Sequence, residues 1–336
     1  MSFRKVFSLL VYICGVCSGC DFFKDSGVVW EFKTGYPLVP TPVVSGEQVY
    51  VGSDKFYCLH SATGKPLWEF TTIGIIQSSP EVKDGHVYFQ CGGLYCLDAA
   101  TGKLVWEFWT DTWSDMKPVI SDERIYTIIK EKAYCLDANT GQKIWDAPVS
   151  TVHSIPAVSD GHMYIGSAGR LSARDAQTGK SMWSTPLGEK DERLYLKAFQ
   201  GKVYAGSSGK QFYCVDGVSG KILWTYADEY VLRRFSLAGD AVYIGNGKLY
   251  CLNAGTGALA WQSALEKPVS GIPQILDNQI YIRSLDGRIY CIDAKTGEKQ
   301  GDLKSPEAGA LAHGYIYTGS SQGKLYCIRL PKKSPG

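Results

Sequence analysis

Residues 87–108 read VYFQCGGLYCLDAATGKLVWEF, and the phrase returns as RIYTIIKEKAYCLDANTGQKIWDA (124–147), MYIGSAGRLSARDAQTGKSMWST (163–185) and VYAGSSGKQFYCVDGVSGKILWTY (203–226). Within one copy, His86 to Phe89 and Leu94 to Leu97 are short runs of strand formers. Gly92-Gly93 between them predicts a two-residue hairpin turn. Asp98-Ala-Ala-Thr101-Gly102 is the next turn, in which the Asp bonds backbone amides just ahead of it and Gly supplies a positive φ. The run Leu104 to Phe108, which carries Trp106, is another strand, and a short run from Pro80 to Lys83 brings the copy to four strands.

Two rulers count the copies. The aromatic that ends the phrase falls at Trp30, Trp68, Trp106, Trp145, Trp183, Trp224 and Trp261, with Gly301 in the eighth position, at steps of 37 to 41 residues. The Tyr-Cys step marks Cys58, Cys96, Cys135, Ala173, Cys214, Cys251, Cys291 and Cys327. A period near forty residues signals a solenoid or a propeller. Four antiparallel strands written eight times, with no helical periodicity in any long window, predict an all-β, eight-bladed β-propeller. Strands such as Tyr95-Cys96-Leu97 are apolar on both faces, as a blade sandwiched between two others requires. The eighth unit stops at Arg329 with no Trp strand behind it, while Val28 to Phe32 is a Trp strand with nothing before it. The N-terminal strand is therefore expected to complete the last blade and leave no free edge. This assigns 27–330 to the propeller and 331–336 to a tail.

The composition agrees. A chain of 336 residues that is 45% hydrophobic fills a large core, and a formal charge of +2 gives no basic field for a nucleic-acid partner. Even that charge belongs to the first residues. MSFRKVFSLLVYICGVCSGC (1–20) has a basic start at Arg4 and Lys5 and an apolar run, Val6 to Val16, too short to span a bilayer. Residues 1–19 read as a signal peptide, and the small-small-Cys ending resembles a bacterial lipobox with Cys20 as the lipidated residue. The pattern departs from the lipobox at Cys17, where an aliphatic residue is preferred. Asp21 resembles the signal that holds proteobacterial lipoproteins in the inner membrane, so both membranes stay open. The tether 20–26 would keep the propeller within ~25 Å of the bilayer.

The consensus VYxGxxxGxLYCLDAxTGKxxWxF resembles the pyrroloquinoline-quinone-type propeller repeat over 27–329. That resemblance implies one of two functional branches, since fold alone does not fix function. Quinoprotein dehydrogenases hold the quinone and Ca²⁺ in the central funnel. A non-catalytic branch includes a lipoprotein of the outer-membrane β-barrel assembly machinery. The compact blades, the leader and the absence of any Cys-Cys pair favour the second branch. It implies a cell-envelope scaffold that uses no cofactor and whose partners are envelope proteins, the barrel-assembly machinery among them. The alternative is a quinone- and Ca²⁺-dependent dehydrogenase or a ligand-sensing propeller.

No catalytic residue or metal ligand set stands out. The register cysteines lie one per blade, too far apart for disulfides, and read as small buried hydrophobes. A Cys91–Cys96 bridge would be off register, and the register Trp residues read as core. Breaks in the repeat are more informative. A Pro precedes the first strand at Pro42, Pro80, Pro118, Pro156 and Pro273, but the fifth and sixth units carry Leu196 and Phe235 there. Beside those breaks lie Arg193, Tyr195, Arg233 and Arg234, residue types favoured at binding hot spots. A second break places Trp109 and Trp113 outside the register. Both groups are candidate partner-binding residues.

Overall fold

A computed structural model describes residues 27–38, 40–110, 112, 114, 116–150, 154–189, 192–305 and 309–330. The leader, Cys20, Asp21, the tether, Trp113 and the tail 331–336 lie outside the described residues. The described secondary structure is all strand, arranged as eight four-stranded antiparallel sheets. The second blade is typical: Glu81–Lys83, His86–Cys91, Gly93–Asp98 and Leu104–Phe108 pair in that order from the axis outward. The last blade is Ala310–Ala312, Tyr315–Gly319 and Lys324–Arg329, completed on the outside by Val28–Lys33, so the two ends of the propeller close one sheet. Inner strands touch around the ring, and Val43–Ser45 meets Ala310–Ala312 across the closure.

Both sequence rulers are register positions. In the second blade Tyr88 lies opposite Cys96 and Cys96 opposite Trp106. The fourth blade sets Tyr164, Ala173 and Trp183 in the same row, and the seventh Tyr281, Cys291 and Gly301. These rows join one blade to the next. Trp68 Nε1 and the Tyr50 hydroxyl both donate to the Ala99 carbonyl of the following blade, at 3.0 and 3.2 Å. Trp106 and Tyr88 do the same to Ala138, Trp145 and Tyr126 to Ala176, and Trp224 and Tyr204 to Ala254. The receiving turn also presents a glycine at positive φ under the indole. At Gly102 (φ +70°) a Cβ would stand 2.5 Å from Trp68.

This junction explains the missing eighth tryptophan. A register Trp needs the Asp-x-x-Thr-Gly turn that joins the third and fourth strands of the next blade. In the last blade those strands come from opposite ends of the propeller, so no such turn faces Gly301.

Between blades the core is apolar and aromatic: Phe56 stacks on Phe89 of the next blade at 4.2 Å. The eight described cysteines are all buried, and no disulfide joins any of them to another described residue. Burial pushes the thiols of Cys58, Cys96 and Cys327 up to about 12 and those of Cys135, Cys214 and Cys251 up to about 11, so they are protonated and inert at neutral pH.

Two local expectations need correction. The second-blade hairpin does not turn on Gly92-Gly93: Cys91 pairs with Gly93, and Gly92 alone forms the apex at φ +75°. In the sixth blade the second and third strands run together as Ala241–Asn253, because Asn246 and Gly247 at its middle pair with Val269–Ser270 in the linker that follows.

Candidate functional site

The inner strands surround the axis, and most are only three residues long. A Pro before the strand has no N–H to add to the ladder, which fixes where pairing starts. The fifth blade lacks that Pro, and its inner strand lengthens to Leu194–Phe199, paired from Leu194↔Ser207 to Phe199↔Lys202. One position per inner strand lies opposite the register Tyr: Val43, Glu81, Val119, Ala157, Lys197, Ser236, Gln274 and Ala310. All of them except Ala157 line one or both of two cavities along the axis, of about 590 and 670 Å³. Lys197 and Ile272 line both cavities and therefore stand between them.

Charge in the first cavity is one-sided. It is lined by Lys117, Lys197 and Arg233 against the single carboxylate of Glu81, which is paired with Lys117. The Lys197 ammonium has a hydroxyl, Ser236 Oγ, at 3.4 Å and the Phe235 ring centroid at 5.7 Å. No carboxylate among the described residues pairs with it. Burial lowers its pKa, and the charge of Lys117 adds to that. Arg234 follows the same physics. Burial first, then Arg233 and Arg283, lower its pKa, while Tyr195 opposes them, and its Nη1 donates to Ser270 Oγ at 2.7 Å.

The candidate partner residues are divided. Tyr195 and Arg233 line the first cavity together, so the two breaks in the Pro pattern do meet. Half-buried Arg234 bonds Ser270 in the linker strand that pairs with the sixth blade, and Arg193 is exposed at the surface. Trp109 is 42% exposed and sits edge-on to Tyr95, with ring centroids 5.6 Å apart. Lys197, Lys117 and Glu81 escaped the sequence reading, because a single Lys or Glu defaults to solvent. The signal that could have found them is the inner-strand position opposite the register Tyr.

Comparison with known proteins places this geometry in a family. The family described as outer membrane protein assembly factor BamB matches residues 24–108, 90–194, 167–232 and 232–330. Quinohemoprotein alcohol dehydrogenase ADH IIB of Pseudomonas putida is 29% identical over 123 residues, 29% of this chain but only 18% of the dehydrogenase. Among solved structures, BamB from Moraxella catarrhalis superposes with a TM-score of 0.72 at 18% identity, covering 90% of this chain and 99% of its own. Quinohemoprotein alcohol dehydrogenase ADHIIG of Pseudomonas putida HK5 gives 0.68 at 14% identity, covering 92% of this chain and 78% of its own. At such identities the structures share the fold alone. The family match runs from 24 to 330, through every blade, and by it the chain belongs to the outer membrane protein assembly factor BamB family.

Proposed function

We propose that this protein is a non-catalytic propeller of the bacterial cell envelope, a protein-interaction scaffold that serves outer-membrane protein assembly and is held at the membrane by a lipid on Cys20. The observation that carries this reading is the extent of the family match, which takes in all eight blades. Partners are envelope proteins, with components of the barrel-assembly machinery foremost, and nucleic acid is not among them. The exposed Arg193 and Trp109, with Trp113 beside the latter in sequence, are the contacts to test first. Tyr195 and Arg233 stand further in, at the channel, and Arg234 is half-buried against Ser270.

The reading includes no quinone and no Ca²⁺. Calcium takes six to eight oxygen ligands. The first cavity offers one carboxylate, already paired with a lysine, among three cations. Those residues do not fit a divalent cation. A second reading, a quinone-dependent dehydrogenase or ligand sensor, draws support from the sequence likeness to ADH IIB.

Cross-linking in the native envelope, followed by identification of partners, tests the proposal. Recovery of outer-membrane assembly factors with the wild type, and their loss with Arg193→Glu or Trp109→Ala, is the expected outcome. Dye reduction dependent on added quinone and Ca²⁺, with no assembly factor recovered, would overturn it in favour of the second reading.

A further inference from the structure

Lys197 is expensive to keep where it is. It lies in the ring of residues opposite the register Tyr, where the other blades place Val, Ala, Ser, Gln and one Glu. A half-buried ammonium with no carboxylate beside it among the described residues loses part of its hydration without an ion pair to replace it. The single hydroxyl near its amine answers one of three N–H donors. A methionine of similar volume would fill the same space without a charge to desolvate.

The surroundings give that charge a use. The first cavity carries three cations and one carboxylate, in a chain whose net charge is close to zero. Low-dielectric walls around charges of one sign concentrate their field. Apart from Ser154 and Tyr195 the rest of the lining is apolar, including Ile155, Phe235 and Ile272. A volume of about 590 Å³ is that of a site for one small organic molecule.

We propose that the central channel binds a small organic anion, its acidic group on Lys197 and Arg233 and its apolar body against Phe235, Ile155 and Ile272. A cation would be repelled by the same set, and an uncharged molecule would leave the lysine unanswered. Carboxylates and phosphate monoesters share the required chemistry. The proposal is independent of any partner on the outer surface.

Calorimetric titration of the full chain with 1-naphthoate, 1-naphthyl phosphate and uncharged 1-naphthol tests it. At least one anion is expected to bind once per chain and at least tenfold more tightly than naphthol, and the tighter of the two names the preferred head group. Lys197→Met should weaken the anion at least tenfold and leave naphthol unchanged, Lys197→Arg should retain binding, and Lys221→Met on the exposed rim should have no effect. If Lys197→Met does not fold, Arg233→Gln measured in the same way carries the test and should weaken the anion severalfold. Failure of both anions to bind, equal affinity for anion and naphthol, or undiminished anion binding in the channel variant that folds, would overturn the proposal.

Discussion

The junction between blades makes a quantitative prediction at Gly102. Its φ is +70°, and a Cβ there would lie 2.5 Å from Cε3 and 2.6 Å from Cδ2 of Trp68. Carbon atoms in contact prefer about 3.5–4.0 Å, so the indole must retreat by about 1 Å. Gly102→Ala therefore has three costs. The left-handed backbone costs a β-carbon about 1–2 kcal/mol. Overpacking adds about 1–3 kcal/mol. Displacing Trp68 breaks its 3.0 Å bond to the Ala99 carbonyl, worth about 1 kcal/mol. Gly85 is the internal control: its φ is +76°, but a Cβ there meets nothing within 4 Å. Gly85→Ala should suffer the backbone cost alone, and the change to the unfolded chain is common to both variants. The difference between them, about 2–4 kcal/mol, isolates the junction. Urea unfolding followed by tryptophan fluorescence measures it as a difference in midpoint at constant slope. Coincident midpoints for the two variants would refute the idea that the turn glycine exists to seat the neighbouring indole.

Four further outcomes follow from the same packing. Trp106→Ala, which leaves the turn at Ala138 and Gly141 without its indole, should cost about 3–5 kcal/mol in the same urea assay. Gly301→Trp should give no stabilisation although a Cβ there meets nothing within 4 Å, because the next blade has no turn to receive an indole. The Thr140 hydroxyl and amide hold the Asp137 carboxyl below its ordinary range, so its contribution is present above the unfolded pKa and fades as pH falls through the folded one. Asp137→Asn should keep the turn, as Asn253 does with Thr256 in the sixth blade, and reduce the loss of stability on acidification below about pH 4. Ellman's reagent at pH 8 should find the described cysteines unreactive in the native protein and all of them reactive in urea; fast native labelling of any register thiol would contradict their burial.

The fold was legible because each repeated residue answers to the blade beside it. Trp106, Cys96 and Tyr88 are one row across the second blade, and the Trp and Tyr of that row bond a carbonyl in the third. A contact made the same way in blade after blade is written at the same step along the chain, so counting Trp and Cys counted blades. The second-blade hairpin was less legible, since Gly92-Gly93 suits a two-residue turn as well as the tighter one adopted, and only the register of Cys91 with Gly93 separates them. The pairing of Asn246-Gly247 with Val269–Ser270 joins segments more than twenty residues apart that have no common pattern. For the candidate site, the lost Pro at Leu196 pointed to the correct segment and to Tyr195 and Arg233. It did not point to Lys197, because the break says where a strand can lengthen and not which of its side chains meets the axis.

Function in such a molecule is freest to change at the axis. The second, third and outer strands and the Asp-x-x-Thr-Gly turn are each held by an adjoining blade, so a substitution there is paid for in stability. The inner-strand residue opposite the register Tyr is held less tightly, and across the ring it is Val, Glu, Val, Ala, Lys, Ser, Gln and Ala. Charges placed there converge on one axis from blades far apart in sequence. Glu81 and Lys197 are more than a hundred residues apart and line one cavity. A net charge near zero therefore argues against a broad basic face for nucleic acid but not against a small interior with an excess of positive charge. In a ring of near-identical units, the axial residues that fail to repeat set the character of the channel, and here they are Glu81, Lys197, Ser236 and Gln274 among otherwise apolar positions.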